Sequence, residues 1–199
     1  MTQRRASTES IVKSVIAFLC AVTVLCTAAC TPSEVDQTVS DIQAVVDEAG
    51  TVVSILQTTP MVRPREKEED VAALKFAQAA SRAAWFCASE SNSKDSFFQR
   101  NEKLTDYFRS VKMPDVRDIQ DPQERAAIEG LASGIDILRG RVEGNRVQMR
   151  ALPRKGDGVV TAIPATITSR LLRIRTQASE TITTADRLLE QAQQSSRQP

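Results

Sequence analysis

The sequence contains no histidine among its 199 residues. It therefore lacks the commonest metal ligand and the one side chain that titrates unperturbed near neutral pH. Aromatic residues are only 4% of the chain, with one Trp and one Tyr, too few for a surface on which bases stack. Charge of one sign is also lacking: 26 basic residues stand against 25 acidic ones. That balance argues against nucleic acid as a partner, since a nucleic-acid surface needs a marked basic excess. What remains is 41% hydrophobic and 26% charged, an ordinary globular composition. The length fits one domain large enough to bury a core.

The four cysteines are Cys20, Cys26, Cys30 and Cys87, three of them within the first thirty residues. Those residues have the layout of an export signal. Arg4, Arg5 and Lys13 make a basic start, and Ser14–Ala29 runs without a charge. The stretch ends Leu25-Cys26-Thr27-Ala28-Ala29-Cys30. It resembles the lipobox of bacterial lipoproteins, with small Ala28 and Ala29 before the cysteine, although Thr27 stands where that motif usually has leucine. The resemblance implies cleavage before Cys30, diacylglyceryl attachment and acylation (such as palmitate) on that residue, and a mature chain held in the cell envelope on the exported side of the cytoplasmic membrane or in the outer membrane. An uncleaved anchor over the uncharged Ser14–Ser33 and an ordinary secreted chain are the competing readings. The layout thus divides into a signal peptide over 1–29, a tether over 30–33 and a helical domain over 34–199. Removing 1–29 leaves 23 basic and 24 acidic residues.

After the tether the periodicity is helical. Val35, Val39, Ile42, Val46, Ala49, Val53 and Leu56 recur at alternating spacings of four and three, a coiled-coil-like heptad seam. Val45, Val52 and Ile55 widen it into a face suited to a bundle. Two prolines in TTPMVRPR (Thr58–Arg65) end that helix. A second helix is predicted over Glu66–Ser89, with Glu66, Glu68, Glu69 and Asp70 on its first turn, where the helix dipole favours acids. It is apolar nearly all round apart from a stripe of Lys75, Gln78 and Arg82, so it is expected at the centre, with Trp85 and Phe86 in the core. A shorter helix follows Phe97, Asn101, Leu104, Phe108 and Val111. Asp121-Pro122-Gln123-Glu124 is a helix start: N-cap, proline at the first position, glutamate at the third. Ile128, Leu131, Ile135, Leu138 and Val142 continue it, and Gly130, Gly134, Gly140 and Gly144 imply close packing or fraying. The last helix is predicted over Ala165–Gln194, with a fraying tail. The expected fold is all-α, an antiparallel bundle of about five helices.

Candidate chemistry is sparse. Gly130-x3-Gly134 has neither a preceding strand nor a following Lys-Ser/Thr and is not a phosphate loop. Asp115 with Asp118, and the acids from Glu66 to Asp70, lack the alternating ligands of a calcium loop. Cys87 follows Trp85-Phe86 on an apolar helix, as a buried, inert thiol would. Charge distribution is the sharpest feature. The first helix has Glu34, Asp36, Asp41, Asp47 and Glu48 without a base. Between 139 and 175 stand Arg139, Arg141, Arg146, Arg150, Arg154, Lys155, Arg170, Arg173 and Arg175, against Glu143 and Asp157. Those bases either form a face for an anionic partner or complement the acidic helix inside the bundle. The sequence thus points to a non-enzymatic, lipid-anchored envelope protein without a cofactor or metal, binding a protein or polymer partner. The alternatives are a carboxylate-dependent hydrolase or transferase, or a component of an envelope transport or exclusion system.

Overall fold

A computed structural model describes residues 34–58, 64–89, 97–103, 107, 113–151 and 163–197. The signal peptide, Cys30 and the tether lie outside the described residues. From Glu34 onward the chain forms a compact unit of its own. Among the described residues it is all-helical: α1 (Glu34–Thr58), α2 (Pro64–Cys87), α3 (97–103), α4 (Pro122–Ala151) and α5 (Ala165–Arg197).

The heptad seam of α1 is buried along its whole length, with Val35, Val39, Ile42, Val46, Ala49, Val53 and Leu56 at 3% exposure or less. Val45 and Val52 are fully buried beside it. This broad face lets α1 pack against α2, α4 and α5, and makes α1 the central helix. The expectation that α2 would be central is corrected: α2 packs on α1 and α5 and barely meets α4. Its alanines Ala73, Ala77, Ala80, Ala84 and Ala88 form the buried stripe, small enough for close approach. Trp85 and Phe86 are not in the core but 37% and 42% exposed.

Polar pairs set the direction of each neighbour. Thr38 bonds Asn145 (3.1 Å) and Asp41 bonds Arg141, so α4 runs antiparallel to α1. Arg170 bonds Asp36 and Ser40, while Gln177 bonds Gln43 and Asp47, so α5 runs parallel to α1. Gln78 and Arg82 meet Asp186 while Trp85 meets Arg175, so α2 and α5 are antiparallel.

The helix boundaries follow local chemistry. Asp121 Oδ1 accepts from the backbone N–H of Gln123 (2.7 Å) and Glu124 (3.3 Å), capping α4 with Pro122 at its first position. Pro64 does the same duty at the start of α2, two residues before the predicted Glu66. The β-branched and hydroxyl content of α1 is accommodated by hydroxyls bonding back to the preceding turn, as Thr38 does to the Glu34 carbonyl (2.7 Å). Two helices outlast their predicted ends. α4 continues past Asn145 to Ala151, and α5 runs to Arg197, where Ser195 and Ser196 bond the carbonyls of Gln191 and Ala192.

Candidate functional site

Of the nine basic residues singled out in the sequence, the five whose side chains are described do not share one face. Arg141 crosses from α4 to Asp41 on α1, whose side chain is only 11% exposed. Arg170 on α5 engages Asp36 and, at 2.9 Å, the Ser40 hydroxyl. These two pair with two of the five acids of the first helix inside the molecule. Arg139 pairs with Asp136 one turn earlier on its own helix (2.9 Å). Arg173 is exposed on α5. Arg175 lays its guanidinium over the Trp85 ring, 5.1 Å from the centroid, and its Nε is buried without a hydrogen-bond partner. Arg146 and Arg150 belong to the last two turns of α4, but their side chains lie outside the described residues, as do Arg154 and Lys155.

The second concentration of charge is acidic and lies toward the opposite end of α1. An open groove of about 1010 Å³ runs between the first half of α2 and the turn over 113–118. Its floor is Ala72, Phe76 and Ala79, with Met113 across from them. Glu68, Glu69, Asp115 and Asp118 stand on its rim with Lys75. Asp115 is held by Arg117, whose backbone N–H donates to Oδ1 (3.1 Å) and whose guanidinium donates to both carboxylate oxygens (3.0 and 2.6 Å). These hydrogen bonds pull the Asp115 carboxyl down to about 2.

Glu124 is the most perturbed carboxyl near this end. It is 4% exposed, and its Oε1 has no hydrogen-bond partner. Burial first, and then the charges of Asp70, Asp121 and Glu69, push it up to about 7. Asp70 is itself buried. The sequence assigns Glu124 to the helix start, and its backbone does sit there. Its side chain, though, lies on the core stripe, four residues before Ile128, and that spacing was the signal. Among the described residues no three His, Cys, Asp or Glu side chains come together as metal ligands would.

Trp85 was legible in the same way. The polar stripe Lys75, Gln78, Arg82 advances by three and four, and the next step of three is Trp85. Cys87 on the neighbouring face is fully buried and unpaired. Its Sγ lies 3.6 Å from the Arg100 carbonyl, and burial pushes its thiol up to about 12 against the weaker pull of Arg100. No helix among the described residues is long and apolar enough to cross a membrane. Comparison with protein families, with curated proteins and with solved structures found no match to this chain.

Proposed function

We propose that the chain is a lipid-anchored, non-enzymatic envelope protein whose bundle holds a binding groove for another envelope component. The observation that carries this reading is the groove along α2. It is as large as the upper range of small-molecule sites yet open, with an apolar floor and an acidic rim, which suits a partner segment bearing basic side chains. Arg141 and Arg170 are engaged within the bundle, which favours the acidic groove over those two arginines as the partner site. The anchor is supported by the lipobox-like run ending at Cys30, with only three residues between it and Glu34. A partner of this kind is a protein or a cationic polymer, not nucleic acid.

The test places a photo-crosslinking residue at Ala79 and, as a control, at exposed Ser54 of α1, in intact cells. A discrete adduct at Ala79, absent at Ser54 and lost in Glu68→Lys plus Glu69→Lys, is the expected result. Equal adducts at both positions would remove the groove from consideration. The anchor has its own test. The intact mass of protein purified from membranes should correspond to a chain starting at Cys30 with added acyl chains; an unmodified start elsewhere overturns it.

One observation favours an enzyme: Glu124, held near a pKa of about 7 beside Asp70, has the proton affinity that general acid–base work requires. Its 4% exposure and its absence from the groove lining favour the binding reading. Hydrolysis of cell-wall polymer by the purified protein, abolished in Glu124→Gln, would establish that second reading.

A further inference from the structure

Three large apolar side chains are exposed near the start of α1: Trp85 (37%), Phe86 (42%) and Leu172 (61%). The polar pairs fix their level. Arg170 bonds Asp36 and Ser40, and Gln177 bonds Gln43 and Asp47, so Leu172 and Arg175 lie between those two contacts. At about 1.5 Å per residue that is roughly 10–15 Å along the axis from Glu34. Trp85 is at the same level, because Arg175 lies over its ring. On α5, positions 171, 174 and 178 face the core, and Leu172 and Arg175 fall on the flank turned toward α2. Leu172 therefore extends the Trp85 surface.

Arg175 gives this flank a positive charge. Arg175 meets no carboxylate among the described residues, in contrast to Arg141 and Arg170. The backbone of α4, antiparallel to α1 with Asn145 opposite Thr38, brings positions 146 and 150, both arginine, to the same end of the bundle. The opposite end carries Glu68, Glu69, Asp70, Asp118, Asp121 and Glu124. Only Thr31, Pro32 and Ser33 separate Cys30 from Glu34 in the sequence, a span of at most about 14 Å.

We infer that this flank, built on Trp85, Leu172 and Arg175, rests on the anionic phospholipid headgroups of the membrane that carries the anchor; the inference rests on the lipid-anchor reading. A Trp ring places its apolar body among acyl chains and its N–H among headgroups. A guanidinium without a carboxylate partner gives the phosphate its counter-charge. A protein partner would find the same side chains attractive, but nothing except a bilayer is bound to lie within reach of a chain tethered four residues before α1. The bundle would then stand with Trp85, Leu172 and Arg175 at the lipid and its acidic groove away from it.

Trp85 is the only tryptophan of the chain, so its emission reports this flank alone. Two samples separate the inference from its premise. One is the full chain purified from membranes and reconstituted into vesicles of phosphatidylglycerol and phosphatidylcholine. The other is residues 34–199, a compact unit with its own core, held by an N-terminal polyhistidine tag on the same vesicles containing nickel-chelating lipid. In each, emission is compared with lipids brominated near the headgroup and with ordinary lipids. About a twofold loss of Trp85 emission with the brominated lipids is expected in both. Leu172→Asp plus Arg175→Glu should abolish the loss while the helical circular dichroism is retained. Quenching of the tagged protein when the full chain proves unlipidated supports the membrane-facing flank and overturns the anchor. Identical emission in both lipids for the tagged protein overturns the flank, whatever the state of Cys30. A photo-crosslinker at Leu172 that captures a protein rather than phospholipid in intact cells overturns it as well, and makes the flank a protein interface.

Discussion

At the scale of single residues, the bundle contains a carboxyl and a thiol whose environments set their chemistry. Glu124 is held near a pKa of about 7 in the folded protein against 4.5 ordinarily. The folded state thus binds this proton more tightly than the unfolded chain. The stability it contributes is complete below about pH 4.5 and is lost as the pH rises through about 7. With allowance for solvent screening the loss is on the order of 1–2 kcal/mol. The chain has no histidine, so no side chain of ordinary pKa titrates in the same window. Thermal unfolding at pH 5 and pH 8 should therefore show a clear fall for the native protein and a much smaller one for Glu124→Gln. An unchanged pH dependence in that variant would place the titrating group elsewhere. Cys87, buried and pushed up to about 12, should react with a maleimide slowly in the folded protein and fast in denaturant. Rapid labelling of the native state would contradict its burial.

Among the elements, α1 is the one on which the others depend. Val46 is fully buried in the middle of its seam, and an aspartate there would place an unpaired charge among α2, α4 and α5. Val46→Asp should lower stability by about 3 kcal/mol or more, while Ala44→Asp on the exposed side should change it by less than about 0.5 kcal/mol. Gln43 is unsuitable as that control, because it bonds both Asp47 and Gln177. Equal, small shifts would mean that α1 does not dock as described. In α4 the glycines divide by surroundings. A methyl group at Gly140 or Gly144 would meet nothing within 4 Å, so the alanine variants should each gain about 0.5–1 kcal/mol from lost backbone entropy in the unfolded chain. At Gly130 the methyl group would come within 2.9 Å of Glu48 Oε2 and displace that carboxylate, so the gain there should be smaller. Urea unfolding of the three variants checks the order.

For the whole molecule, the buried core is drawn from residues 35–188. A protein of residues 34–199 should then unfold in one cooperative transition at the midpoint of the full chain. A lower midpoint, or two transitions, would show that the first 33 residues contribute to the core. The distribution of charge is a second whole-molecule property. Asp36 and Asp41 are matched by Arg170 and Arg141 from two different helices. Pairs this exposed contribute about 0.2–1 kcal/mol, more for the less exposed Asp41 pair, so their main effect is on which helix lies beside α1 and in which direction.

The sequence alone determined that the chain is helical, where α1 and α4 begin, and which face of each is apolar. Those properties are local: a heptad spacing, an N-cap followed by proline and a pair of helix-breaking prolines act within a few residues of themselves. It also contained the complementarity of acidic α1 and the later bases, without saying which arginines would be used. The tertiary structure decided what depends on several helices meeting. It made α1 rather than α2 the centre, because the apolar width of α1 could be covered on three sides while α2 buries a narrower stripe of alanines with Leu74, Phe76 and Cys87. It left Trp85 and Phe86 exposed, Trp85 beside α5 with only Arg175 over its ring and Phe86 one position further round α2. It also turned Glu124 from a capping residue into a buried acid, because the start of α4 packs beside the acidic start of α2, and a side chain's proton affinity follows from what surrounds it rather than from its place in the chain.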